Sequence, residues 1–208
     1  MLRRRLLQQQ AGGGGGFVDL GLPSGRLWAT GNLVKDSNGN YAIGEETDWG
    51  TYISWGNIDG HNEGEGYNFD QTNYDSTTGK QVSSDIPPTD TQHDICAARL
   101  GAPWHLPTKE DFKELYDNTD SEWVADYNGT GVAGRKFMKK TDHSVYVFFP
   151  ASGNYNGTSL LNRGTNGSYW SASFSSATGA YNLNFNSSSV RPQNSNSRRS
   201  GRSVRPVQ

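Results

Sequence analysis

The chain has 208 residues, 32% of them hydrophobic, with 26 glycines and a formal net charge of −2. That length suits one domain with a real core, and six tryptophans, ten tyrosines and eight phenylalanines make the core aromatic. A single cysteine, Cys96, excludes an intrachain disulfide, and no stretch approaches the length of a membrane span.

The small net charge hides an uneven distribution. Residues 151–208 hold six of the 19 basic residues, all arginine, and none of the 21 acidic ones, which leaves residues 1–150 at −8. Those arginines are diluted by Asn, Ser and Gly rather than gathered in Lys/Arg runs, so nucleic acid is not the expected partner.

Residues 1–10 predict a short helix, and Gly12–Gly16 a flexible tether, because five glycines have no side chains to pack. Residues 1–16 thus read as a flexible N-terminal segment, either a frayed end or an attachment peg, and the domain as 17–208. Leu6 and Leu7 followed by glutamines do not form the apolar core of a signal peptide.

Short strands are predicted at Leu27–Thr30 and Tyr52–Trp55, separated by Gly, Asn and Asp clusters. Two helices follow. The first is expected over Thr91–Leu100 with Gly101 as its stop; the second is opened by Thr108 with Asp111 three residues on, and places Phe112, Leu115 and Tyr116 on one face. Strands resume at Arg135–Lys139, Val145–Phe149 (ended by Pro150) and Ser168–Ala172. In Tyr181–Asn186 the period of two assigns Tyr181, Leu183 and Phe185 to a core face, and Asn182, Asn184 and Asn186 to a display face. Ser203–Val207 reads as a closing strand at a sheet edge, because of Pro206.

The 58 residues from Ala151 include nine Asn and fourteen Ser. Such bias often means disorder, but Trp170, Leu183, Phe185, Val190, Val204 and Val207 recur as apolar anchors at sheet-like spacings. Tyr, Ser, Asn, Gly and Arg together make a recognition chemistry: large area at low entropy cost, adaptable hydrogen bonds and guanidinium anchors. A merely solvated surface would carry Lys, Glu and Asp, and none follows Asp142.

That absence argues against acid–base catalysis in the segment. The oxygen-rich loop Asp59–Glu65 lacks EF-hand spacing, so no metal is assigned there. His93 and Cys96 are too few for a zinc site, and His61, His105 and His143 form no recognisable triad. No catalytic residue and no cofactor is assigned.

Six ordered motifs are familiar together: Val18-Asp19-Leu20-Gly21-Leu22-Pro23-Ser24-Gly25, Leu27-Trp28-Ala29-Thr30, Trp104-His105-Leu106-Pro107-Thr108, Phe149-Pro150-Ala151-Ser152-Gly153, Gly167-Ser168-Tyr169-Trp170-Ser171 and Ser203-Val204-Arg205-Pro206-Val207. Over about residues 17–208 they resemble the lectin-like paralogous domains of gut Bacteroidales and their phages. Tyr181–Asn186, followed by Pro192-Gln193-Asn194 and Arg198, looks like the variable region of diversity-generating retroelement proteins. There, adenine-directed mutagenesis rewrites Asn codons to yield Asn, Ser, Tyr, Arg, Gly and Thr, but not Lys or Glu.

The resemblance implies an α+β, C-type lectin-like fold, with two helices packed on short antiparallel strands joined by long loops. It implies that residues 151–208 are the variable ligand-binding region, a hypervariable surface that binds a protein or glycan receptor on a cell surface, as in phage host attachment. The location would be a phage tail or a bacterial surface, with several copies suiting weak single contacts. The ligand surface it implies comprises Arg163, Thr165, Asn166, Tyr169, Ser171, Ser173, Ser175, Ser176, Thr178, Asn182, Asn184, Asn186, Asn194, Ser195, Asn196, Ser197, Arg199, Ser200 and Arg202, with Trp170, Leu183, Phe185, Arg198 and Val204 as scaffold. Calcium-dependent sugar binding is not carried over, because the carboxylate–asparagine motif is missing. The formylglycine-generating, sulfatase-modifying enzymes work through a cysteine pair that Cys96 alone does not match. That enzyme and a structural surface domain are the alternatives.

Overall fold

A computed structural model of the chain describes residues 16–71 and 82–208; the helix and most of the tether expected in residues 1–15 lie outside that range. The architecture is mostly β, in small antiparallel sheets. Strand β1 (Phe17–Asp19) pairs with β2 (Leu27–Ala29), and β3 (Leu33–Lys35) with β4 (Tyr41–Ile43). Helices α1 (Ile95–Arg99) and α2 (Lys109–Asn118) precede a meander of β5 (Thr119–Val124), β6 (Gly134–Lys139) and β7 (Asp142–Pro150). A hairpin of β8 (Asn154–Asn156) and β9 (Ser159–Leu161) leads to a three-stranded sheet in the order β10 (Gly167–Phe174), β11 (Gly179–Phe185), β12 (Val190–Ser197).

The expected α+β arrangement of two helices on strands, in the C-type lectin-like manner, is therefore corrected. The first helix shrinks to the five residues of α1. The cause is local competition for backbone donors: Asp90 Oδ1 accepts from the backbone N–H of Gln92 (2.9 Å) and His93 (3.2 Å) and so holds that stretch in a turn. Asp94 then caps the helix, accepting from Cys96 N (2.8 Å) and Ala97 N (3.1 Å), and Gly101 ends it at φ +76°.

The second helix starts where Thr108 and Asp111 predict. Thr108 Oγ1 accepts from Asp111 N at 3.0 Å, and Asp111 Oδ2 accepts from Thr108 N at 2.8 Å. This reciprocal cap satisfies two donors that a helix start otherwise leaves unpaired. Phe112 and Leu115 are fully buried, but Tyr116, expected on the same face, is 42% exposed.

Tyr52–Trp55 is buried and extended, yet is not a ladder strand, because successive residues pair with different segments. Tyr52 pairs with His61 and Ile53 with Arg202, while Trp55 N donates to Arg198 O. The expected edge strand Ser203–Val207 is likewise corrected: residues 201–207 are all buried and run through the middle of the molecule. Leu33 N donates to Val204 O, Ala29 N to Pro206 O and Trp170 N to Ser203 O, and Val207 bridges both Trp28 and His105. Pro206 fits this path because it is asked only for its carbonyl.

Two apolar clusters lie on opposite faces of the β10–β11 sheet. One contains Trp170, Ala172 and Ala180 with Trp55, Ile53 and Val204; the other contains Tyr169, Leu183 and Phe185 with Trp28, Phe112 and Phe149. In the second, aromatic edges meet faces: Phe149 and Tyr169 lie 5.0 Å apart at 75°, Trp28 and Phe149 5.7 Å at 62°. A sheet covered on both faces leaves its edge and its ends to solvent.

Candidate recognition surface

Strand β12 is that edge. Its residues alternate along the whole strand, with Arg191, Gln193, Ser195 and Ser197 exposed and Val190, Pro192, Asn194 and Asn196 half-buried. Pro192 is accommodated at an irregularity, for the register shifts where Asn182 pairs with Asn194 but Asn184 with Arg191. The inward asparagines are held by a polar ladder: Asn194 Nδ2 (3.4 Å) and Asn196 Nδ2 (3.1 Å) donate to Asn182 Oδ1, while Asn182 Nδ2 donates to Ser168 Oγ at 3.3 Å.

Asn182 is therefore fully buried rather than displayed. Its neighbours on the same face of β11 include Ala180, which belongs to the Trp170 cluster, so the alternation in Tyr181–Asn186 separates two interiors and not a core from solvent. Tyr181, read as core, is only half-buried, with Lys109 Nζ 4.5 Å above its ring.

Four more of the expected display residues are buried. Tyr169 donates from its hydroxyl to Pro150 O at 2.6 Å, Ser171 Oγ donates to Tyr181 O at 2.8 Å, and Ser173 Oγ accepts from Lys109 N at 3.1 Å. Arg202 lies 4.5 Å over the Trp170 ring. The three hydroxyls thereby find the partners that buried polar groups need. Trp170, Leu183, Phe185, Arg198 and Val204, read as scaffold, are all buried.

The remaining positions fall into three places. At one end of the sheet Ser175, Ser176 and Thr178 adjoin Ser195, Ser197, Arg199 and Ser200; Ser175 and Ser195 share a 2.8 Å hydroxyl contact. Asn184 and Asn186 lie toward the other end, about 20 Å away at roughly 3.4 Å per residue. There Asn184 Nδ2 donates to Gly167 O, and Asn186 Oδ1 accepts from Ser188 N and Ser189 N, closing the β11–β12 turn. Arg163, Thr165 and Asn166 stand apart near the 162–166 turn. Arg163 pairs with Glu63 and packs 5.6 Å from the Trp49 ring.

Arg191 and Gln193 complete the outward row, although neither is among the expected site residues. Their signal is the alternation Arg191, Gln193, Ser195, Ser197, which Pro192 obscures as a strand. The sequence's basic bias is not a basic patch, since Arg198, Arg202 and Arg205 are buried and Arg163 faces a carboxylate.

Along the row itself, Arg191, Gln193, Ser195 and Ser197 include no carboxylate, imidazole or thiol. Burial pushes the Cys96 thiol well above its ordinary pKa, away from the nucleophilic thiolate. The carboxylates of the 59–65 loop turn to separate cations, Asp59 to Arg99, Glu63 to Arg163 and Glu65 to Lys35. Among the described residues, no three His, Cys, Asp or Glu side chains converge as a metal site.

The fold and surface define a predominantly β protein with a polar edge strand, β12, that itself carries no carboxylate. Residues 124–207, which include that edge and the sheet behind it, match a family described as a domain of unknown function, DUF8237. No curated protein and no solved structure shows a significant match.

Proposed function

We propose that the protein is a binding protein and not an enzyme, and that it recognises a receptor through the β12 edge with the adjoining 175–178 and 199–200 turns. The observation that carries this reading is the exposed row Arg191, Gln193, Ser195 and Ser197, backed by a buried polar ladder. Guanidinium, amide and hydroxyl groups suit adaptable contacts, and a strand bonded to a doubly buried sheet presents them at low entropic cost.

The Asn/Ser/Tyr/Arg palette supports the further reading that this edge is a variable region of the diversity-generating retroelement kind. The partner would then be a protein or glycan receptor on a cell surface, as in phage host attachment. The split between outward and inward positions gives such variation a physical basis, because exposed substitutions usually cost within about 0.5 kcal/mol.

The test replaces Arg191, Gln193, Ser195 and Ser197 together with alanine and measures binding of labelled protein to a panel of gut Bacteroidales cells. The expected result is loss of binding, with Tm lowered by only a few degrees. Undiminished binding, or unfolding of the variant, would overturn the reading.

A further inference from the structure

A second candidate site lies off the β12 edge. Beside β3 a depression of about 340 Å³ is lined by Lys35, Asp48, Trp49, Asn62, Glu63 and Arg163 among others, and no lining residue is on β12 or its adjoining turns. We infer that it binds a neutral pyranose, one sugar unit of a glycan.

The frame of the depression is tied down from the interior. Asn32 Nδ2 donates to the carbonyls of Asp48 (2.9 Å) and Trp49 (3.1 Å), and Ser203 Oγ donates to Trp49 O at 2.8 Å, so the Trp49 backbone is fixed while its side chain stays half-buried. Gly50 then turns the chain at φ +84°, where a Cβ would come within 2.8 Å of the Asn32 side chain. Thr51 is fully buried; its Oγ1 accepts from Lys35 N and donates to Asn62 Oδ1, both at 2.8 Å, and Asn62 Nδ2 donates to Lys35 O at 2.9 Å. A lining bonded in this way has little ordering left to lose when a ligand enters.

The charges select the class of ligand. The lining holds two cations, Lys35 and Arg163, and two anions, Asp48 and Glu63, so it offers no net charge to an ion. Three of the four are engaged in ion pairs, Arg163 with Glu63 and Lys35 with Glu65, while the Asp48 carboxylate accepts from Glu45 N at 2.8 Å. A charged ligand would have to compete with these pairs. A sugar hydroxyl, donor and acceptor at once, can use the lone pairs and N–H groups left over, because a carboxylate accepts about four hydrogen bonds and a guanidinium donates five.

Shape points the same way. Vicinal ring hydroxyls present two groups side by side, the spacing that forked carboxylate and guanidinium groups match. Trp49 and Val34 add apolar surface for the C–H groups of the ring. The volume lies at the lower end of the roughly 300–1,000 Å³ typical of ligand cavities, room for one sugar unit.

The test is ligand-observed NMR titration of the full chain with the methyl glycosides of D-glucose, D-galactose, D-mannose and L-fucose. D-Glucuronate and D-glucosamine serve as anionic and cationic counterparts. Saturable binding of at least one neutral glycoside is expected, about fivefold or more tighter than either charged sugar. Glu63→Ala, at an exposed side chain, should weaken it by about fivefold, the worth of one hydrogen bond, and Trp49→Ala by a larger factor. No saturable binding of any neutral glycoside, a charged sugar bound as tightly, or an affinity unchanged in Glu63→Ala would overturn the assignment.

Discussion

Arg205 Nε donates to Asn32 Oδ1 at 2.9 Å with both residues fully buried. The guanidinium also donates to the carbonyls of Ala29, Thr30 and Phe148 and lies 4.6 Å over the Phe149 ring, while Asn32 Nδ2 reaches the carbonyls of Asp48 and Trp49. One planar fork thereby ties the C-terminal segment to β2, to the link between β2 and β3, and to β7. Arg205→Lys keeps the charge but not the fork and should cost about 3 kcal/mol or more in chemical denaturation, whereas Arg191→Gln should stay within about 0.5 kcal/mol. Similar losses for the two variants would contradict this division of the arginines.

Arg202 makes the opposite prediction. It is 4% exposed, its Nε and Nη1 have no hydrogen-bond partner among the described residues, and burial pulls its pKa down to about 9. Its aliphatic stem and the Trp170 ring supply packing that a methionine can reproduce without the cost of an uncompensated charge. Arg202→Met should therefore be neutral or stabilising by about 1 kcal/mol. A Tm lowered by more than a few degrees would show that the charge has a stabilising partner.

Asp94 provides a pH signature. Burial, opposed by the backbone N–H groups of Leu106, Ala97 and Cys96, raises its pKa from 3.8 to about 7. A carboxyl with a raised native pKa binds its proton more tightly when folded, so its contribution to stability is full below about pH 4 and is lost as the pH rises through 7. Subtracting the stability curve of Asp94→Asn from that of the native chain should isolate a decline across that window. A flat difference curve would mean that the three backbone donors cancel the effect of burial.

Asn182→Ala tests the buried ladder. Removing its side chain leaves Asn194, Asn196 and Ser168 short of a partner and should cost about 1–3 kcal/mol, measured by urea unfolding, while Ser195→Ala on the neighbouring strand costs little. Equal effects would place Asn182 at the surface after all.

What the sequence made legible was whatever is encoded locally. Thr108 and Asp111 mark the start of α2, because a capping box needs only four residues, and Trp170, Leu183 and Phe185 mark the interior by their size. What it concealed depends on partners distant in the chain. Asn182 alternates with apolar residues like any outward-facing residue, and nothing nearby reveals that a second core covers its face. Asp94 looks like an ordinary helix residue, and Asp90 like the residue before the helix, until their carboxylates take the backbone donors. In β12 Pro192 obscures the alternation as a strand, and the register irregularity beside it is what accommodates that proline.

The burial of residues 201–207 among Ile53, Leu33, Ala29, His105 and Trp170 bears on how the chain reaches this state. Contacts between residues more than 150 positions apart give the fold a high contact order, and loop-closure entropy must be overcome before they form. The early hairpins can zip up on their own, but both aromatic interiors stay open until this segment threads between them. Refolding should be correspondingly slow, with a late, concerted loss of tryptophan exposure.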